Sequence, residues 1–290
     1  MRDPIYPGRV GDRAWEIVRP REAADGLAML GYRDRAGAGL ELRVAVIPAV
    51  TVAVDFGGGG LVVETTEGSR ASGGMVAGFS RGLTAIRAER AACVEVRMSP
   101  LRAYSVLGVG PGELGAVVGL DEVWGASAER LRAQLAEAAK WEERFALTRA
   151  FLAQHFRPER TPDAEVVAGW NRIVADRGQV RVAELAESCG WSRKRLWTRF
   201  ESQIGLTPKR AAMLVRFRHA VEGLVAGRPA ADVAASCGYS DQAHMSREIA
   251  SFAGRTPNTL AREPHTPIGQ HRYRTWGTFF QDPAGVVGRR

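Results

Sequence analysis

The sequence has few cysteines and no long apolar run. Its three cysteines are widely spaced and form no CxxC pair, so we expect neither a disulfide framework nor a thiolate zinc site, and a reducing cytoplasm is the simplest compartment. The most apolar stretch, residues 44–56, is about a dozen residues long and contains Pro48. A membrane span needs about 20 apolar residues, and the first residues lack the apolar segment of a secretion signal. We therefore predict no membrane partner.

Motifs of common catalytic sites are missing as well. There is no HExxH motif, no Cys/His cluster and no GxSxG nucleophile elbow, so a zinc site or a serine nucleophile is not expected. The glycines at 57–60 are not followed by the Lys-Ser/Thr of a phosphate-binding loop, and they are more typical of a hairpin turn. Cys93 would be reactive only if exposed. These absences predict a protein that is not an enzyme and binds no cofactor.

Charge is unevenly distributed along the chain. The net charge is +8 and the pI is about 10, which favours an acidic partner such as nucleic acid. Residues 1–162 carry 21 Lys/Arg against 20 Asp/Glu, whereas residues 163–263 carry 15 against 11. The positive excess therefore lies in the C-terminal part of the chain.

The first 120 residues are predicted to form a β-rich domain. Short β-branched runs separated by turn residues are typical of an all-β sandwich or barrel. The runs are residues 40–47, 50–56, 61–65, 75–79, 83–89 and 93–98.

Residues 121–160 are predicted to form a helical connector. Between Ser127 and Phe156 apolar residues return every three to four positions, which indicates one or two amphipathic helices. Such a stripe is equally typical of an internal packing face and of a homodimer surface. Residues 157–163 contain two prolines and clustered charges, as linkers do. We place the domain boundary there, with an all-helical domain at 163–264 and a basic tail at 265–290.

One short phrase occurs twice in the helical domain. Residues 186–190 read AESCG and residues 234–238 read AASCG, an offset of 48, whereas the endings Thr207-Pro208 and Thr256-Pro257 are offset by 49. One residue is therefore added inside the second copy, after its glycine. The alanine permits close helix packing, and the glycine four residues later tolerates a left-handed backbone at a helix end. The pattern predicts two helix-turn-helix units in tandem.

The second helix of each unit is predicted to face DNA. We place Ser192 and Ser240 at the N-caps of these helices, with Leu196 and Met245 in the core behind them. Because the second helix of such a unit enters the major groove, its outward side chains are candidates for contacts with bases and phosphates. The alternative is the solvated face of an ordinary helical domain. The outward residues are Arg193, Lys194, Trp197 and Thr198 in the first unit and Gln242, Ala243, His244, Ser246 and Arg247 in the second.

A single helix is predicted between the two units. Residues 207–227 begin with Thr207, have Pro208 in a first-turn position and end at Gly227. About 19 helical residues span roughly 28 Å, while successive major grooves on one DNA face lie about 34 Å apart. One chain can thus hold two reading helices in neighbouring grooves.

Residues 166–263, with the doubled motif and two Gly-x-Thr-Pro endings, resemble the DNA-binding domain of AraC/XylS-type bacterial transcription regulators. The resemblance covers about a third of the chain. It implies a seven-helix domain that binds promoter DNA and activates transcription through RNA polymerase. Thr198 stands where arginine is commoner, and Ile249 where an aromatic residue is usual. The base-reading positions of the family fall on Lys194, Trp197, Thr198, Gln242, His244 and Arg247.

The N-terminal half is similar to the cupin-like, effector-binding half of such regulators. That similarity implies a small-molecule effector and a homodimer. The predicted fold class is therefore α+β, with a β-rich sensor domain, a helical connector and an all-α domain with two helix-turn-helix units. The alternative is an enzyme or small-molecule-binding protein that uses its helical half for oligomerisation. Five aromatic residues are candidates for lining an effector pocket: Trp15, Tyr32, Phe56, Phe79 and Tyr104.

Overall fold

The computed structural model describes residues 15–20, 26–65, 68–79, 84–108, 110–111 and 117–262. Within them the elements up to residue 119 are strands apart from one helix before the last strand, and helices alone follow. The predicted α+β class, with a β-rich N-terminal part and an all-helical C-terminal part, is confirmed. The basic tail predicted at 265–290 lies outside the described residues.

The strands of the described residues form two antiparallel sheets. They are β1 (Trp15–Val18), β2 (Leu27–Asp34), β3 (Leu40–Val44), β4 (Val50–Asp55), β5 (Leu61–Thr65), β6 (Gly68–Ser72), β7 (Gly74–Ala77), β8 (Thr84–Ala88), β9 (Ala92–Met98) and β10 (Val117–Gly119). One sheet has the order β1-β2-β9-β4-β7-β10, and the other has the order β3-β8-β5-β6. The sequence analysis missed β1, β2, β6 and β10.

The six-stranded sheet is covered on both faces. Side chains alternate along a strand, so Val94 and Val96 of β9 pack under the helices, whereas Cys93 lies between the two sheets. Every residue of β9 is buried. Cys93 is fully enclosed, and burial, followed by the nearby Asp55 carboxylate, raises the pKa of its thiol well above the ordinary value. Cys93 is therefore a packing residue rather than a reactive thiol.

The prediction of a hairpin at the four glycines is wrong. Residues 57–60 connect β4 to β5, and these strands lie in different sheets. The carboxylate of Asp55 accepts hydrogen bonds from the N–H groups of Gly57 at 3.2 Å and Gly60 at 3.1 Å. This side chain shapes the loop as an Asx turn does, and the chain then crosses to the second sheet.

Four helices accompany the β domain: α1 (Pro100–Val106), α2 (Leu120–Trp124), α3 (Ala126–Glu137) and α4 (Trp141–Gln154). The apolar stripe of the connector is buried against the six-stranded sheet through Leu131, Leu135 and Phe145. The ring of Trp141 lies directly over Gly31 of β2. A Cβ at Gly31 would collide with that ring. The stripe is thus a packing face within the chain, and a homodimer stays a prediction.

The C-terminal part consists of α5 (Ala164–Ala175), α6 (Val182–Ser188), α7 (Arg193–Ile204), α8 (Pro208–Val225), α9 (Ala230–Ser236), α10 (Gln242–Ala253) and α11 (Pro257–Arg262). These seven helices share one core, in which Phe217 and Phe252 lie with ring centroids 5.1 Å apart. The seven-helix expectation agrees with the part of the chain that the structure describes. None of the helices in that part is long and apolar enough to cross a membrane.

The β domain meets the helical part at α1, which packs against α7. The hydroxyl of Ser105 donates to the carbonyl of Arg160 at 2.8 Å, and the N–H of Arg157 donates to the carbonyl of Ser105 at 2.8 Å. The guanidinium of Arg160 lies 4.6 Å from the ring centroid of Tyr104. Leu101 of α1 packs against the core of the C-terminal helices. Helix α1 is therefore tied both to the segment after α4 and to the C-terminal helices.

Candidate nucleic-acid interface

The first unit is built from α6, a tight turn and α7. Gly190 has φ of 65°, the left-handed conformation that a side chain with a Cβ disfavours. The N–H of Trp191 donates to the carbonyl of Ala186 at 3.0 Å, which closes the end of α6. Ser192 then caps α7, because its hydroxyl accepts from the N–H of Arg195 at 3.2 Å. The turn and cap predicted for this unit are confirmed.

The second unit repeats the same geometry in α9 and α10 with one change. Gly238 has φ of 73°, and the N–H of Tyr239 donates to the carbonyl of Ala234 at 3.0 Å. The N-cap of α10, however, is Asp241, whose carboxylate accepts from the N–H of His244. The prediction of Ser240 at this cap is wrong. The residue added after the glycine moves the cap one place along the chain, as the offset of 49 indicates.

Helices α7 and α10 are both anchored by matched core residues. Leu196 of α7 and Met245 of α10 have no exposed surface, and Ala186 and Ala234 of the preceding helices are buried beside them. An apolar side chain in the first turns of α7 and of α10 therefore packs into the core, and the opposite face of each helix is exposed to solvent.

Those solvent faces contain the predicted DNA-contacting residues. Trp197 is 44% exposed, which is unusual for a large aromatic residue. His244 and Ser246 are half-buried. The Nδ1 atom of His244 lies 3.2 Å from the hydroxyl of Ser240, and its ring packs edge-on against Tyr239 with centroids 5.3 Å apart. No hydrogen bond to its Nε2 atom comes from the part of the chain that the structure describes. The exposed members are Arg193, Lys194, Trp197, Thr198, Gln242, Ala243 and Arg247.

A buried ionic network fixes α10 to the linking helix α8. Arg216 of α8 forms a paired contact with the carboxylate of Glu248 on α10, with Nε at 3.1 Å from Oε1. The hydroxyl of Tyr239 donates to the same Oε1 at 2.7 Å, and the Arg216 guanidinium lies 4.5 Å from the Tyr239 ring centroid. Burial and the neighbouring carboxylate raise the pKa of Tyr239. The phenol is thus a permanent hydrogen-bond donor at neutral pH.

A second pair fixes α7 to the start of α5. Arg199 of α7 donates through Nε and Nη2 to the two carboxylate oxygens of Asp163, at 2.6 and 2.9 Å. The Arg199 guanidinium lowers the pKa of Asp163 below its ordinary value, although burial acts in the opposite direction. The side chain of Gln203 also accepts from the N–H of Asp163 at 2.9 Å. Sequence reasoning found neither ionic link, because no local pattern pairs residues on separate helices.

The five aromatic residues suggested for an effector pocket are dispersed. Trp15 and Tyr32 contact each other, with ring centroids 6.4 Å apart. Phe56 packs instead against Trp141 on the helical side of the six-stranded sheet, and Tyr104 lies under Arg160. Phe79 packs against the same cluster as Phe56, so the five rings lie in at least three separate places.

Gly190→Val is expected to lower the free energy of unfolding by about 1–3 kcal/mol, because a β-branched residue is strained at positive φ. A Cβ at Gly190 would meet no atom within 4 Å, so the expected loss comes mainly from backbone strain. Thermal or urea unfolding of the full chain tests this. Gly190→Asn is the matched control, since asparagine tolerates the left-handed region. Equal stability of the valine variant and the wild type would contradict the positive φ.

The C-terminal residues match a known family. Residues 185–263 match the family model described as a helix-turn-helix domain. No curated protein matches the chain.

The chain also resembles solved structures at low sequence identity. It is 19% identical to the C-terminal domain of AraT, a response regulator from Geobacillus stearothermophilus, over 38% of this chain and 98% of that one, with a TM-score of 0.33. It is 12% identical to ToxT from Vibrio cholerae with a bound unsaturated fatty acid, over 85% of this chain and 99% of that one, with a TM-score of 0.47. A Chromobacterium violaceum transcriptional regulator with an AraC-type DNA-binding domain is 19% identical over 36% of this chain and 94% of that one, with a TM-score of 0.33.

Proposed function

We propose that the chain is a transcription activator of the AraC/XylS type that reads promoter DNA with two helix-turn-helix units, and the match of residues 185–263 to the helix-turn-helix family supports this proposal. The observation that carries the proposal is the pair of capped, 12-residue helices α7 and α10, each with a buried core residue and an exposed polar face. Such helices fit the DNA major groove.

Each exposed face offers donors suited to DNA. Neither helix has an acidic residue in its first turn, and a helix N-terminus carries positive partial charge that favours phosphate. Arg193 and Lys194 add full charges at the start of α7. Asp241 satisfies the N-terminal amides of α10, and its carboxylate disfavours a nearby phosphate. We therefore assign base reading to Lys194, Trp197, Thr198, Gln242, His244 and Arg247, with Arg193 beside them.

The linking helix sets the spacing of the two faces. Helix α8 has 18 residues, which corresponds to a rod of roughly 27 Å. The Arg216–Glu248 pair holds α10 to this rod. We propose that the two reading helices enter successive major grooves on one DNA face, about 34 Å apart.

We further propose that the β domain binds a small-molecule effector and acts on α7 through α1. Glu95 and Arg97 of β9 form a buried ion pair, with Nε at 2.6 Å from Oε1. Thr51 is the cross-strand neighbour of Arg97 and is buried as well. This polar group in an apolar interior is our candidate effector contact. Helix α1 packs on α7, so a shift of α1 changes the position of the first reading helix. An effector causes such a shift only if it binds the two positions of α1 with different affinities.

Partners and domain limits follow from the same proposal. We propose that the activator contacts RNA polymerase and forms a homodimer, and that the β domain, connector and DNA-binding domain span 1–120, 121–160 and 163–264.

Selection of duplexes from a random pool by the full chain tests the proposal that two helix-turn-helix units read promoter DNA. We expect a bipartite consensus whose halves are separated by about one helical turn, 10–10.5 base pairs. Binding that is neither sequence-selective nor salt-sensitive would favour an enzyme or small-molecule-binding protein with a helical oligomerisation module.

Arg247→Ala is expected to weaken binding to the selected duplex by about 1–3 kcal/mol and to relax selection at one base position. Arg247 is exposed on α10, so its loss removes a DNA contact without disturbing the core. Fluorescence anisotropy with the consensus duplex and with point-substituted duplexes measures both effects. Arg181→Ala is the control, because that side chain is 85% exposed and lies outside both reading helices. An unchanged affinity and footprint would remove Arg247 from the reading face.

A further inference from the structure

A polar cavity of about 370 Å³ lies where three helix ends of the C-terminal part converge. It is bounded by the corner after α5, the last turns of α8 and the end of α9, and none of the proposed base-reading residues contributes to it. Ligand sites for small molecules begin at about 300 Å³. The lining residues are Arg177, Gln179, His219, Glu222, Gly223, Arg228, Ser236 and Cys237.

The helix ends around this cavity are closed by their own backbone. The N–H of Gly178 donates to the carbonyl of Ile173 at 2.8 Å at the end of α5. The same type of bond closes α8, from Arg228 to Gly223 at 3.0 Å, and α9, from Tyr239 to Ala234. Arginine side chains near a helix C-terminus often hydrogen-bond its last carbonyls. Backbone amides satisfy part of these carbonyls, and the full positive charges of Arg177 and Arg228 offset the partial negative charge of the three helix C-termini.

The guanidinium groups of Arg177 and Arg228 both have unused hydrogen-bond donors. Arg228 donates through Nη2 to the hydroxyl of Ser236 at 3.0 Å, which uses one of its five N–H groups. A Cβ at Gly223 would lie 3.7 Å from Arg228 Nη1 and 3.0 Å from Val233, so the missing side chain keeps this space open. Arg177 is exposed, and no described residue accepts a hydrogen bond from its guanidinium.

The single carboxylate in the lining is already neutralised. Arg218 donates to Oε1 of Glu222 at 2.9 Å, and Nδ1 of His219 lies 3.2 Å from Oε2. Although burial raises the pKa of Glu222, these two partners lower it below its ordinary value. Burial raises the pKa of the Cys237 thiol, whereas Arg228, Arg177 and Arg216 act to lower it. A hydrogen bond with Ser236 acts in the same direction as these three arginines.

We propose that this cavity binds a phosphate group, held between Arg177 and Arg228 with Gln179 and Ser236 as additional hydrogen-bonding groups. Arginine forks match the paired oxygens of phosphate. The cavity exceeds the size of a bare phosphate ion, so the group is carried on a larger molecule. Two sources share this chemistry: a phosphodiester of bound DNA and a phosphate monoester of a free small molecule. The inference rests on the lining of the cavity and not on the proposed base contacts.

The test compares the full chain with Arg177→Gln/Arg228→Gln and with a matched double variant, Arg130→Gln/Arg181→Gln, which removes two exposed arginines elsewhere. Calorimetric titration uses inorganic phosphate and phenyl phosphate, with chloride at equal ionic strength as the blank. We expect binding by the wild type and the matched variant, and at least about tenfold weaker binding by the cavity variant, equivalent to about 1.4 kcal/mol. Arg228→Lys, which keeps the charge and loses the fork, is expected to bind with intermediate affinity.

DNA titrations identify the source. If a DNA phosphodiester occupies the cavity, the cavity variant binds every duplex more weakly, and its log affinity falls less steeply with log salt, by about 0.9 for one lost phosphate contact. If the occupant is a free monoester, phosphate binding is lost and DNA affinity is unchanged. The proposal is overturned if neither phosphate compound binds the folded wild type and the two double variants bind DNA equally. The base-reading proposal survives that outcome if sequence-selective DNA binding remains.

Discussion

Glu248→Ala is expected to lower the free energy of unfolding by about 3–5 kcal/mol, because it leaves a buried arginine without its anionic partner. Glu248 is almost fully buried and Arg216 is largely so, with 3% and 16% of their side chains exposed. The substitution also removes the acceptor of the Tyr239 hydroxyl. Urea unfolding of the full chain, followed by circular dichroism, measures the loss. DNA affinity should fall as well, since α10 loses its ionic link to α8.

Three variants separate the charge effect from simple loss of packing. Glu201→Ala removes an exposed carboxylate from α7 and is expected to change stability by less than about 0.5 kcal/mol. Tyr239→Phe removes one hydrogen bond and is expected to cost about 1 kcal/mol. The triple variant Arg216→Met/Glu248→Leu/Tyr239→Phe replaces every member by an apolar group and should recover most of the loss. A decrease below about 1 kcal/mol for Glu248→Ala would contradict the buried network.

The helical half could be predicted from the sequence because its determinants are local. The turn glycines, the Ser192 cap and the core positions of Leu196 and Met245 are all set by residues within one or two helical turns of each other. A repeat doubles this information, since each copy tests the interpretation of the other. The one error, Ser240 in place of Asp241, came from carrying the offset of 48 past the point where the sequence itself changes to 49.

The β half was less predictable because its strand partners are distant in sequence. Leu27 of β2 pairs with Met98 of β9, and β9 also pairs with β4. Nothing near Gly57–Gly60 states that the next strand belongs to the other sheet, so the local pattern favoured a hairpin. The same limit applies to the ionic links. The pairing of Asp163 with Arg199 depends on how α5 and α7 pack, and no spacing rule describes it.

The corner after α5 and the second helix-turn-helix unit both contact α8 near Arg216. The corner after α5 approaches α8 so closely that a Cβ at Gly178 would collide with the carbonyl of Ala212 and would lie 2.7 Å from the backbone nitrogen of Arg216. Arg216 in turn holds Glu248 and Tyr239 of the second unit. A change at Gly178 therefore acts on the first unit through α5 and on the second through Arg216.

Gly178→Ala is accordingly expected to lower the free energy of unfolding by about 2–5 kcal/mol. Positive φ, here 76°, costs an alanine about 1–2 kcal/mol, and forced overpacking adds about 1–3 kcal/mol. Gly190→Ala is the matched control, since φ there is 65° and the Cβ would meet open space; only the first contribution is expected. Urea unfolding of both variants measures the difference. Equal losses of unfolding free energy in the two variants would show that α8 moves aside without strain. Arg216 would then not couple α7 to α10 rigidly. If α7 and α10 enter successive major grooves at a fixed spacing, we expect Gly178→Ala to lose more stability than Gly190→Ala and to bind both halves of the selected duplex more weakly.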